Sequence, residues 1–192
     1  LWSIANGLRR VGAEPRLLKH LVDLPKFDAV VLPGAGAFKP ATAFLEGQRR
    51  DVEEAVARGQ PLLCVCLGMQ LLFDESEEGG LNKGSGFIHG KVRRLPATMK
   101  IPHMGWNQLA VLRQDAFLEG IRSGDYFSFA HSYYPSPEEP SVVLASTEHG
   151  VSFPSVVAKG SLYGTQFHPE KSGEKGLRIL RNLVEIVQER AA

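Results

Sequence analysis

A repeated unit in the first half constrains this chain most: an apolar run halted by a tight turn, then an amphipathic stretch. "FDAVVLPG" (Phe27–Gly34) is β-branched, apolar and closed by proline and glycine, as expected of a strand buried on both faces. The turn Gly34-Ala35-Gly36 leads into a helix expected from about Pro40 to Arg58. The unit then recurs, with "QPLLCV" as strand and "LGMQLLFDESEE" as helix. Strand, turn, helix, repeated, is the pattern of right-handed crossovers in a parallel sheet, hence an α/β fold. Ahead of it, Leu1–Val11 reads as an amphipathic helix ended by Gly12, and "AEPRLL" as a short strand. An alternating fold normally places a strand before such a helix, so the first strand is expected to be missing from the N-terminus of this sequence.

The second half changes character. "GFIHGKVRRL", "HMGWNQLAVL", "DYFSFAHSYY", "SVVLAST" and "SVVAKGSLYGTQFHPE" are shorter and separated by glycine, proline and charged turns. They read as hairpins and an extension of the sheet, closed by a periodic helix over Leu177–Val187. A length of 192 residues, 43% hydrophobic and 22% charged, fits a single domain over residues 1–192. A net charge of +1 gives no broad surface for nucleic acid or membrane. Two neighbouring cysteines make no disulfide framework and "LWSIANGLRR" is no signal peptide, so a cytoplasmic location is expected.

Both cysteines lie where the second strand meets its helix. Cys64-Val65-Cys66-Leu67-Gly68 fits a strand-to-helix elbow with small residues two before and two after the nucleophile, because larger ones would collide with neighbouring backbone. Cys66 is then the nucleophile, the Leu67 amide can donate to an oxyanion, and Cys64, mid-strand, is packing. A thiol nucleophile needs a base, and the base needs an acceptor to fix its tautomer. "TQFHPEKS" supplies both: His168 at a strand end, and Glu170 two residues on across a stiff proline.

"CLGMQ", "FHPEKS" and "LPGAGAF" together resemble the class I (triad) glutamine amidotransferases. "PHMGWN" (Pro102–Asn107) and "FAHSYY" (Phe129–Tyr134) resemble, within that class, the glutaminase subunits of imidazole glycerol phosphate synthases. The resemblance implies a three-layer α/β/α, flavodoxin-like fold with a mixed central sheet. It implies that Cys66 attacks the side-chain carboxamide of glutamine, with His168 as acid/base oriented by Glu170. It makes Gly34, Ala35 and Gly36 the oxyanion strand, the Ala35 amide joining that of Leu67. Gln70, Glu78 and the backbone of Ser132 and Tyr133 would hold the substrate. Ammonia would pass to a (β/α)8-barrel cyclase subunit, the heterodimer partner, with Trp106, Asn107 and Lys171 at the interface. Such a family opens with a strand and a Tyr-Gly-x-Gly-Asn turn, which this sequence lacks, and it usually carries glycine where Cys64 stands.

The glycine-flanked Gly34-Ala35 peptide rotates easily. A loaded partner turning it inward, with the free subunit idle, is the expectation that follows. No cofactor is expected. His20, His89, His103, His131 and His149 lack ligand spacing, so no metal site is expected either, and "DESEEGG" reads as a solvated helix end. "GAGAF" lacks the GxGxxG and Walker patterns of nucleotide sites. Two alternatives stay open: the amidotransferase subunit of another synthase, and an inactive interaction subunit.

Overall fold

The computed structural model describes residues 1–21, 23–34 and 36–191. Helix α1 (Trp2–Arg10) precedes strand β1 (Val30–Gly34), helices α2 (Phe38–Glu46) and α3 (Arg49–Ala57), strand β2 (Leu62–Cys66) and the short helix α4 (Leu67–Leu71). Strands β3 (Glu75–Ser76), β4 (Asn82–Lys83), β5 (Gly90–Arg94), β6 (His103–Gln108) and β7 (Ala110–Val111) follow. The chain continues through β8 (Tyr126–His131), β9 (Tyr133–Pro137), β10 (Val143–Glu148), β11 (Ser152–Lys159) and β12 (Leu162–Thr165) to helix α5 (Gly173–Ala191).

The main sheet runs β1-β2-β12-β11-β10-β7. β1, β2 and β12 are parallel, while β11, β10 and β7 continue it antiparallel, giving the mixed sheet expected. Central β2 is buried along its whole length, and alternation divides its side chains between two cores. Leu63 and Val65 pack with α1 and α5 through Ile4, Leu8, Leu177 and Leu180. Leu62 and Cys64 pack with α2 and α3 through Phe38, Leu45 and Val52. Helices therefore cover both faces, and the layers are α/β/α. A four-stranded sheet β4-β3-β5-β9 and a ribbon of β6 and β8 complete the molecule.

Three expectations are corrected. Residues Ala13–Leu18 form no strand, because no ladder pairs them with a neighbour among the described residues. The helix expected over Pro40–Arg58 is two, since Gln48 leaves helical geometry (φ −130°, ψ 16°) and its side-chain oxygen accepts from the Leu21 amide. The helix after Cys66 stops at Leu71: the carbonyls of Leu71, Leu72 and Phe73 accept from the amides of Ser85, Ile88 and Gly86, which ends the turn-to-turn ladder. "DESEEGG" is accordingly a strand and turn rather than a helix end, with Glu75 paired to Lys83 and Lys91.

Candidate active site

β2 and β12 lie side by side, parallel, with Thr165 level with Val65. Their carboxyl ends emerge at the same edge of the sheet, where open α/β sheets bind ligands. That register sets Gln166 beside Cys66 and brings His168 to the same place, although a hundred residues intervene.

Cys66 is the hinge of the elbow. Its backbone takes φ 54° and ψ −110°, a conformation that costs a residue with a β-carbon about 1–3 kcal/mol. Strand alternation would point its side chain with Cys64, but the elbow turns it to the α1–α5 side, into the cluster holding Val65 and Phe167. Tight packing dictates the flanking residues. A β-carbon on Gly34 would overlap the Gly68 amide and Leu67, and one on Gly68 would overlap the Leu32 carbonyl. Gly36 is needed for its conformation, φ 108°. Ala35, expected between them as an oxyanion donor, lies outside the described residues. Cys64 is completely buried, and burial pushes its thiol pKa up. It is packing, as its position suggests.

The Cys66 sulfur lies 3.7 Å from the Ala130 carbonyl and 3.6 Å from Gln166 Nε2, which donates to it. His168 Nδ1 is 3.0 Å from Glu170 Oε1, which leaves Nε2 of the ring for the thiol. Both side chains of this pair are largely buried. Burial by itself lowers the His168 pKa, but hydrogen bonds to Cys66 and then Glu170 outweigh it and push the imidazole up to about 9. Among the described residues, the second oxygen of Glu170 is buried without a partner. The loop that carries the imidazole is fixed at both ends. The His168 amide donates to Ser128, and Ser172 Oγ donates to the His168 carbonyl at 2.6 Å while accepting from the Ser128 amide. Gly176 lets α5 approach so closely that a β-carbon would overlap the Pro169 carbonyl.

The remaining residues named from sequence fall into two groups. Gln70 is inside the site: its Nε2 donates to the Tyr133 carbonyl at 2.8 Å and to Gln166 Oε1 at 3.1 Å. Leu67 opens α4 directly after the sulfur, and the Ser132 carbonyl accepts from Leu95. Glu78 Oε1 accepts from the Phe38 amide at 3.2 Å, capping α2 just beyond the Gly34–Gly36 turn. Trp106 is 58% exposed on β6, too far out to cap the molecule's own core, and Met104 beside it is 70% exposed. Asn107 is half-buried, and Lys171 is exposed with no ion pair among the described residues.

One residue and one pairing escaped the sequence reading. Gln166 was a polar side chain directly before an apolar one at a strand end, the weak signal available for it. His103 and His131 pair across the β6–β8 ribbon, a register invisible without knowing which strands are neighbours. Among the described residues no group of three or more His, Cys, Asp or Glu side chains gathers to hold a metal ion, and no helix is long and apolar enough to cross a membrane. A thiol at a helix start, an imidazole in reach of it and a carboxylate behind the imidazole form a set suited to acyl transfer through a thioester.

Residues 1–187 match the class-I glutamine amidotransferase family, and the chain belongs to it. It is 42% identical to imidazole glycerol phosphate synthase subunit HisH of Caldanaerobacter subterraneus subsp. tengcongensis, over 98% of this chain and 94% of the relative. It is 45% identical to the HisH subunit of Methanothermobacter thermautotrophicus, with the same coverage of both chains. In fold it resembles the structure of PurLQS from Thermotoga maritima (TM-score 0.77, 18% identity, 96% of this chain and 92% of that one). It also resembles a crystal structure of a glutamine amidotransferase (TM-score 0.71, 21% identity, 97% and 93%).

Proposed function

We propose that this chain is the glutaminase subunit of an imidazole glycerol phosphate synthase, working in the cytoplasm in histidine biosynthesis. The observation that carries the reading is the meeting of Cys66 and His168 at the ends of two parallel strands, with Glu170 on the far nitrogen of the ring. Identity of 42–45% to HisH subunits over nearly the whole chain supports the choice of synthase.

In this reading the Cys66 sulfur adds to the carboxamide carbon of glutamine, and the carbonyl oxygen becomes an oxyanion beside the Leu67 amide and that of Ala35. His168, held by Glu170, takes the thiol proton at Nε2 as the sulfur attacks and gives it to the amide nitrogen. The carbon–nitrogen bond breaks, and ammonia leaves behind a glutamyl thioester on Cys66. Water then attacks the thioester carbon while His168 takes its proton, and glutamate departs as the sulfur–carbon bond breaks. Gln70, Glu78, Ser132 and Tyr133 hold the glutamine. Ammonia passes to a barrel-shaped cyclase subunit docked on the exposed Trp106–Asn107 strand and near Lys171. Rotation of the Gly34-Ala35 peptide, driven by the loaded partner, sets the rate.

Glutamate release from glutamine, with and without the cyclase and its nucleotide substrate, tests this. Release that rises at least tenfold (about 1.4 kcal/mol of barrier) when the loaded cyclase is added is the expected result. No glutamate in any mixture, or stimulation by a different synthase instead, would reject it.

A further inference from the structure

His103 and His131 are each only 5% exposed, and among the described residues neither hydrogen-bonds a carboxylate. They are joined to each other, His103 Nδ1 to His131 Nε2 at 3.0 Å. The inner end of the pair is His131 Nδ1, 2.9 Å from the Tyr133 carbonyl, and the outer end is His103 Nε2, 3.2 Å from Asn107 Nδ2. Burial pushes His131 down to about 3 and His103 down to about 4, with His149 adding to the effect on His103, so both rings are neutral at ordinary pH. A neutral ring has one donor and one acceptor.

The chemistry then allows a single arrangement. A carbonyl only accepts, so His131 carries its proton on Nδ1 and accepts at Nε2. His103 must donate to it from Nδ1 and accept at its own Nε2 from the Asn107 amide. Asn107 is itself fixed, donating to the Glu148 carbonyl at 2.9 Å and accepting from the Gln108 amide at 2.8 Å. Stacking holds the rings: His103 lies over Phe129 (4.9 Å, 24°) and under His149 (4.1 Å, 19°), and His131 sets its edge on Phe153 at 4.9 Å. From Asn107 through His103 to His131, the relay hydrogen bonds thus all point one way, from strand β6 toward the Tyr133 carbonyl.

That carbonyl is shared, since Gln70 donates to it as well. From Gln70 the contacts run on to Gln166 and so to the Cys66 sulfur. We propose that His131, oriented by His103 and through it by Asn107, is a positioning residue that fixes the Tyr133 carbonyl and so keeps Gln70 and Gln166 aligned on Cys66 for glutamine binding. This deepens the glutaminase reading and rests on it. Hydrogen-bonded chains of this kind polarise one another, and a fully satisfied one locks a unique arrangement.

Two measurements on the full chain decide it. Long-range nitrogen–proton correlation spectra at neutral pH are expected to show both rings as Nδ1–H tautomers; an Nε2–H tautomer or an imidazolium at either position overturns the relay, whatever the protein catalyses. The second is alkylation by a glutamine-shaped chloroketone, with the Cys66 peptide followed by mass. His131→Phe removes the donor and is expected to raise the half-saturating concentration about tenfold, the effect of one neutral hydrogen bond, with the limiting rate little changed. His131→Asn keeps an amide donor where Nδ1 stood, and is expected to recover most of the binding. Equal behaviour of the two variants, or a loss confined to the limiting rate, overturns the positioning role alone. Wild-type protein that never reacts at Cys66 overturns the glutaminase reading and this role with it.

Discussion

Gly68 approaches Leu32 so closely that a β-carbon at position 68 would overlap the Leu32 carbonyl oxygen. β1 and the start of α4 are thereby pressed together just behind the sulfur of Cys66. Backbone on both sides leaves no flexible side chain to yield. Gly68→Ala should therefore destabilise the fold by about 2–3 kcal/mol, the range of overpacked cores, and lower the melting temperature by about 5–10 °C. A thermal melt checks it, and an unchanged transition would contradict the packing described.

The His168 imidazole titrates at about 9 against an ordinary value of 6.5. Burial opposes the shift, and hydrogen bonds to Cys66 and Glu170 produce it. A raised folded-state pKa contributes stability that is complete below pH 6.5 and lost as pH rises through about 9. Denaturation midpoints should accordingly fall between those limits. Cys66→Ala removes one of the two bonds, so the His168 titration, followed by NMR, should move down and the slope should flatten. A titration at the same pH in the variant would show that the sulfur and the imidazole do not meet.

Glu170 ought to separate activity from stability. One of its oxygens holds His168 at 3.0 Å, and the other is buried without a partner among the described residues, a cost to the folded state. Glu170→Gln keeps the shape and removes the charge. Glutamine turnover should drop by about 10²-fold or more, as the ring loses the acceptor that fixes its tautomer. The melting temperature at neutral pH should fall only modestly, because losing the ion pair with His168 is partly offset by removing a buried carboxylate charge. A parallel loss of both would make Glu170 a structural residue.

The two cysteines should differ in reactivity. Cys64 is fully buried with its thiol pushed up, whereas Cys66 sits on the elbow beside His168. Iodoacetamide on the folded protein should mark Cys66 and spare Cys64 by mass mapping. Cys64→Ala should cost about 1 kcal/mol of stability for the small cavity and leave turnover near wild type. Labelling of Cys64 at the same rate would contradict its burial.

Much of the site was readable because its chemistry sits in short local patterns. The run ending at Cys66 is a short apolar stretch, which read as a strand, and small residues on either side of the thiol marked the elbow. His168 and Glu170 stand two apart at a strand end. What stayed hidden depends on contacts between distant segments. Gln48 breaks a helix to reach Leu21, and the 84–88 loop cuts α4 short by taking its carbonyls. Neither partner leaves a local mark. The pairing of His103 with His131 and the clamp of Ser172 between His168 and Ser128 likewise arise only once the ribbon and sheet are assembled.

The central claim is that the sulfur of Cys66 carries the glutamyl group. Mixing the protein with the cyclase subunit proposed for it and glutamine, quenching in acid within a turnover and mapping peptides by mass should find a glutamyl thioester on Cys66, absent from Cys66→Ala. Glutamate formed with no adduct on Cys66, or equally fast by Cys66→Ala, would contradict it.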